Sequence, residues 1–159
     1  MLNFIFRIIL TIGVLAYLKK KNVTSLPLFI IVLFILDFSD SIIFAPSDFD
    51  TYKYHKNDKV VDLLTYIYFY ILFNNLFDDV TKKILIGFIL LRSIGVIAFY
   101  ATGNTKYIQY FPDFINSTLI VYAIYQYFSL TTQSYYIMII ISMIIKILIE
   151  RKMHNKVYH

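Results

Sequence analysis

Six apolar stretches separated by short polar segments run along the chain: Leu2–Leu18, Pro27–Ala45, Val61–Phe77, Ile84–Ala101, Phe114–Phe128 and Tyr135–Ile149. Within each, apolar residues follow one another continuously instead of alternating with polar ones. That is the pattern of helices in an apolar medium and not of barrel strands. About 20 residues cross a bilayer as a helix. The pattern therefore predicts an all-α integral membrane protein, a bundle of about six transmembrane helices in a single domain over residues 1–159. The first stretch lacks a small-residue cleavage site and is followed by Lys19-Lys20-Lys21-Asn22, so it reads as a retained span. No internal repeat or low-complexity linker interrupts the series.

Composition supports the same class. Hydrophobic residues make up 59% of the 159 and charged ones 16%, against about 25% charged in ordinary soluble domains. Spans and short loops use the whole length, which leaves no room for a separate soluble catalytic domain. Cysteine is absent, so disulfides, thiolate metal sites and thiol nucleophiles are excluded. The net charge of +5 is carried by lysines at segment ends, as anchoring beside anionic headgroups requires. No clustered basic face with base-reading residues is present, so nucleic acid is not an expected partner. With the N-terminus cytoplasmic, that side holds Arg7, Lys53, Lys56, Lys59, Lys106, Arg151, Lys152 and Lys156, against Lys19, Lys20, Lys21, Lys82 and Lys83 opposite. The balance places both termini in the cytoplasm.

Charges within the spans carry more information, because each is costly there. Asp37 and Asp40 are three apart in the second stretch, and Asp58 and Asp62 four apart at the start of the third. Each pair shares a helical face, and antiparallel neighbours joined by a short loop can bring the four together near one membrane surface. Four close carboxylates need neutralising by protons, basic side chains or hard divalent cations, which take oxygen ligands. Capping explains part of this: Asp58 at the N-cap of the third helix and Asp62 in its first turn would both be favoured. It does not explain Asp37 and Asp40, which follow ten residues of apolar helix. Farther on, Phe111-Pro112-Asp113 reads as a turn and helix start with Asp113 as N-cap, and the tyrosines read as packing or lipid-facing aromatics.

The four aspartates, Asp37-x2-Asp40 followed by Asp58-x3-Asp62, resemble the acidic skeleton of the CDP-alcohol phosphatidyltransferase family, D-x2-D-G-x2-A-R-x8-G-x3-D-x3-D. All four fall in register across the second and third stretches. Arg92, thirty residues past the last Asp, and the opening Asn3-Phe-Ile-Phe-Arg7 are similar to features of the phosphatidylglycerophosphate synthase branch. The chain departs from the motif at Ser41, Phe44-Ala45 and Tyr54, where the family has Gly, Ala-Arg and Gly. The resemblance implies that Asp37, Asp40, Asp58 and Asp62 hold two divalent ions, Mg²⁺ or Mn²⁺. It implies Asp62 as general base, and transfer of a phosphatidyl group from a CDP-diacylglycerol-like lipid to a small alcohol acceptor. Lys53, Lys56, Lys59 and His55 would offer phosphate contacts in place of the absent motif Arg, or form a plain positive connector. Arg92 would sit in an anion pocket for the acceptor's phosphate, or pair with Asp62 or a sister Asp. A homodimer stays open. Two other classes compete: a cation or proton transporter using the acidic face, and a non-catalytic multi-span membrane subunit.

Overall fold

The computed structural model describes residues 2–22, 25, 27–28, 31–32, 52–104 and 106–157; their side chains are described over 8–22, 57–104 and 106–149, and at the few other positions cited. Of the expected second span Pro27–Ala45, four residues are described (27, 28, 31 and 32), and they are helical. The rest of it, with Asp37, Asp40, Ser41, Phe44 and Ala45, lies outside the described residues. All regular structure among the described residues is helical. The chain divides into two compact units, residues 1–82 and 83–159.

The first unit is built on α1 (Leu2–Lys20) and α2 (Tyr52–Phe73). α1 ends where Asn22 takes a φ of 49°, with Lys21 and Asn22 N–H donating back to Tyr17 and Lys19 carbonyls at 3.0 Å each. Asn tolerates the left-handed region that most residues avoid. The Nζ of Lys19, at the C-terminal end of α1, donates to the carbonyl of Leu72 near the C-terminal end of α2 at 2.6 Å. It also lies 5.7 Å from the centre of the Phe73 ring. α1 and α2 therefore run parallel. Leu15, Val61, Phe69 and Phe73 are buried in this unit. A 3-10 turn, Asn74–Leu76, closes α2.

α3 (Asp79–Thr102) starts on a side-chain cap, the Thr81 N–H donating to Asp78 Oδ1 at 2.7 Å. It stops at Gly103, whose φ of 73° and 2.8 Å bond to the Phe99 carbonyl form a glycine C-cap. Its buried positions Leu85, Arg92, Gly95, Val96 and Phe99 recur at helical spacing. A short α4 (Lys106–Tyr110) follows, then α5 (Ile115–Tyr127) and α6 (Thr132–Val157). The last two form an antiparallel hairpin. Ser129 turns it at φ 49°, Leu130 N–H reaches back to the Tyr125 carbonyl at 3.1 Å, and Thr131 Oγ1 caps α6 by accepting the Ser134 N–H at 3.2 Å. Tyr135 stacks on Tyr122 and Tyr125 at 5.9 and 4.8 Å between ring centres, fastening the hairpin at its turn.

Helix boundaries depart from the apolar stretches in a consistent way. α2 begins at Tyr52 rather than Val61, because the polar run 52–60 is helix-competent although not apolar. Asp58 and Asp62 thus lie inside α2, past its first turn, and neither caps it. α5 has 13 residues, about 20 Å at 1.5 Å per residue, short of the about 30 Å of a bilayer core. α4 lies in a segment that the apolar pattern leaves blank. Asp113 does set the start of α5: its Oδ1 accepts the Ile115 N–H at 2.9 Å, although the cap position itself is Phe114.

Candidate functional site

Asp58 and Asp62 are one turn apart on α2, and Lys59 lies between them. Its Nζ is 2.8 Å from Asp58 Oδ2 and 3.4 Å from Asp62 Oδ2. The three side chains are 15%, 12% and 26% exposed for Asp58, Asp62 and Lys59, so the ion pairs are shielded from most solvent. Two carboxylates at i and i+4 repel each other by a few tenths of a kcal/mol on an open helix, and more as solvent is removed. One ammonium shared between both offsets that repulsion. A basic side chain is one of the neutralising groups expected from the sequence. Lys59, expected either to contact phosphate or to form part of a plain positive connector, reaches the two carboxylates of its own helix.

This arrangement bears on the expected metal. Among the described residues, no three His, Cys, Asp or Glu side chains come together as a cation site. Lys59 contacts one oxygen of each carboxylate. Asp37 and Asp40, the other half of the expected set, lie outside the described residues, as do the side chains of Lys53, Tyr54, His55 and Lys56, whose backbone forms the first turns of α2.

Arg92 sits in the second unit, midway along α3, and is 3% exposed. Its Nη1 donates to the carbonyl of Phe111 at 2.7 Å and lies 3.5 Å from that of Ile108. Its Nε is buried without a partner. The acceptors are backbone carbonyls at and just past the end of α4, the groups a helix C-terminus leaves unpaired. Its partners among the described residues are main-chain carbonyls.

Two ring contacts explain how the main chain reaches a buried guanidinium. A Cβ placed on Gly95 would collide with the Phe111 Cβ and stand 3.0 Å from its Cγ, so only glycine lets the loop lie against α3 there. One and two turns away, Phe88 packs on Phe114 at 5.2 Å between ring centres. The segment leaving α3 at Gly103 therefore folds back along it, past Gly95 and Arg92, as far as Phe88. The sequence reading singled out Arg92 but not Gly95. The spacing Arg92-Ser-Ile-Gly95, a donor and a gap on one helical face, was the available signal.

No family model, no curated protein and no solved structure matches the chain. Among the described residues all regular structure is helical, and two helices, Asp79–Thr102 and Thr132–Ile149 within α6, are long and apolar enough to cross a membrane.

Proposed function

We propose that the chain is a multi-pass integral membrane protein of six crossings with both termini cytoplasmic. One observation carries the membrane placement: α6 leaves its isoleucines outward. Only 11% of Thr132–Ile149 is buried, and Ile137, Ile140, Ile141, Ile144, Ile145 and Leu148 are each half-exposed or more. A core helix of a water-soluble protein would bury that surface, worth about 25 cal/mol per Å²; lipid covers it without a protein partner.

Two further features support the count. Parallel α1 and α2 require the chain to return between them, and a crossing over Pro27–Ala45 would do so. On the other side of α3, residues 103–114 re-enter to the level of Phe88, and α5 adds about 20 Å, enough together to complete the fifth crossing. Irregular backbone at membrane depth is tolerated only where protein covers it and supplies its hydrogen bonds. On this reading that is the task of Arg92.

The chain has no native cysteine, so single cysteines report topology directly. Asn22→Cys and Ser129→Cys should react with an impermeant maleimide from outside, and Asn104→Cys only after permeabilisation. Ser129 and Asn104 labelled from the same side would overturn the six-crossing arrangement.

For the acidic face, the spacing of Asp37, Asp40, Asp58 and Asp62 supports metal-dependent phosphatidyl transfer from a CDP-linked lipid to an alcohol. On that reading Asp37 and Asp40 complete the ligand set and Lys59 gives way. The shared Lys59 favours a second reading, a non-catalytic membrane subunit with an internally neutralised ion pair. Purified protein, CDP-diacylglycerol and a panel of alcohols separate them. Release of CMP that needs Mg²⁺ or Mn²⁺ and is lost in Asp62→Asn assigns the transferase; no release from wild type or Lys59→Met assigns the subunit.

A further inference from the structure

The run from Phe114 to Ile145 contains no Asp, Glu, Lys, Arg or His, and no other uncharged run in the chain reaches half its length. It covers all of α5, the turn at Ser129 and the first half of α6. The other helix junctions carry charge: Lys19 and Lys20 end α1, Asp78 and Asp79 open α3, Lys106 opens α4 and Asp113 precedes α5. The α5–α6 turn instead presents Tyr127 and Phe128, 78% and 64% exposed, set edge to face at 5.0 Å between ring centres. Two rings on an uncharged turn are poorly placed in water and well placed at a bilayer interface, where amphipathic aromatics collect.

Depth along α6 puts the turn at that level. The apolar length Thr132–Ile149 has 18 residues, about 27 Å at 1.5 Å per residue, against about 30 Å of hydrocarbon. It meets Glu150, Arg151 and Lys152 at one surface, so its other end falls just inside the opposite boundary and the turn follows directly. The main chain of the turn suits such a place. Phe128 and Leu130 N–H donate to the Ile124 and Tyr125 carbonyls at 3.0 and 3.1 Å, and Ser129 N–H to that of Gln126 at 3.4 Å. These carbonyls belong to the last turn of α5, which a helix end otherwise leaves to water. We infer that the turn Tyr127–Thr131 is a membrane-contact surface seated at the boundary of headgroups and acyl chains. The Tyr127 and Phe128 rings lie among the lipids there, at the end of the outward stretch of α6 that starts with Tyr136 and Ile137. The partner is the lipid interface and not one headgroup, because the turn offers no charge to select one. Headgroups are hydrated, so a thiol at 129 stays within reach of an impermeant maleimide.

This seat rests on the membrane reading, and single tryptophans separate the two, since the chain has none of its own. Full-length variants are reconstituted in phosphatidylcholine vesicles in which the lipid is brominated either near the headgroup or near the chain end, with iodide as the quencher in water. Phe128→Trp and Tyr127→Trp, both at exposed positions, should lose about half of their emission to bromine near the headgroup and little to iodide. Ile141→Trp and Ile144→Trp, half-exposed in the middle of the apolar length, should be quenched most by bromine near the chain end. Phosphatidylglycerol added to the vesicles should change none of these values. Quenching of the two turn variants by iodide, or by neither agent, while the α6 variants still respond to bromine overturns the seat of the turn and leaves the membrane reading in place. If Ile141→Trp and Ile144→Trp both escape bromine, the membrane reading itself is overturned.

Discussion

Replacing Gly95 by alanine puts a methyl group where the Phe111 side chain already lies, 3.0 Å from its Cγ and 3.3 Å from its Cδ2. Either the loop lifts off α3 or the helix bends. Forcing an added carbon into a packed site costs about 1–3 kcal/mol. A lifted loop also lengthens the 2.7 Å bond from Arg92 to the Phe111 carbonyl, a charged hydrogen bond worth about 1.5–3 kcal/mol. Against these stands the helical preference of alanine over glycine, about 1 kcal/mol. The net expectation is a loss of about 1.5–5 kcal/mol, or at least about 3 °C in Tm for a chain of this size. Gly87, on the same helix, has nothing within 4 Å of its missing Cβ. The same substitution there should stabilise by about 0.5–1 kcal/mol. Thermal unfolding in detergent, followed by far-UV circular dichroism because the chain has no tryptophan, reads both signs. Arg92→Met in each background completes a double-mutant cycle, and coupling of about 1 kcal/mol or more is expected with Gly95→Ala and none with Gly87→Ala. If Gly95→Ala melts at or above wild type, the close approach of loop and helix is wrong. The account of Arg92 as a donor to re-entrant main chain would fall with it.

Two smaller perturbations check the helix ends. Ser129→Gly should raise stability by about 0.5–1 kcal/mol, because serine pays a steric penalty at φ 49° that glycine does not; Ser129→Val should lower Tm by several degrees in the same melt. Asp78→Ala removes the acceptor for the Thr81 N–H and should cost about 0.5–2 kcal/mol, with faster amide exchange confined to the first turn of α3.

The helical class, the places where helices run and several of their ends follow from the sequence alone, because the forces behind them are local. A continuous apolar run, a glycine at 103 and an aspartate ahead of Ile115 act within a turn or two of themselves. Hydropathy marks where an apolar medium would begin, not where a helix begins. That is why the third apolar stretch begins at Val61, whereas α2 begins at Tyr52. Other features were decided by tertiary structure. Which carbonyl is left without a donor depends on how the segment after Gly103 folds back, so the partner of Arg92 could not be read from its neighbours in the chain. The need for glycine at 95 is set by Phe111, sixteen residues away. The parallel pairing of α1 with α2 joins residues 19 and 72 across a stretch the apolar pattern treats as independent spans. Lys59 stands between these cases: its reach to Asp58 and Asp62 is local in sequence. How strongly those ion pairs hold is decided by burial, since shielding from water strengthens the attraction of the nearest opposite charge.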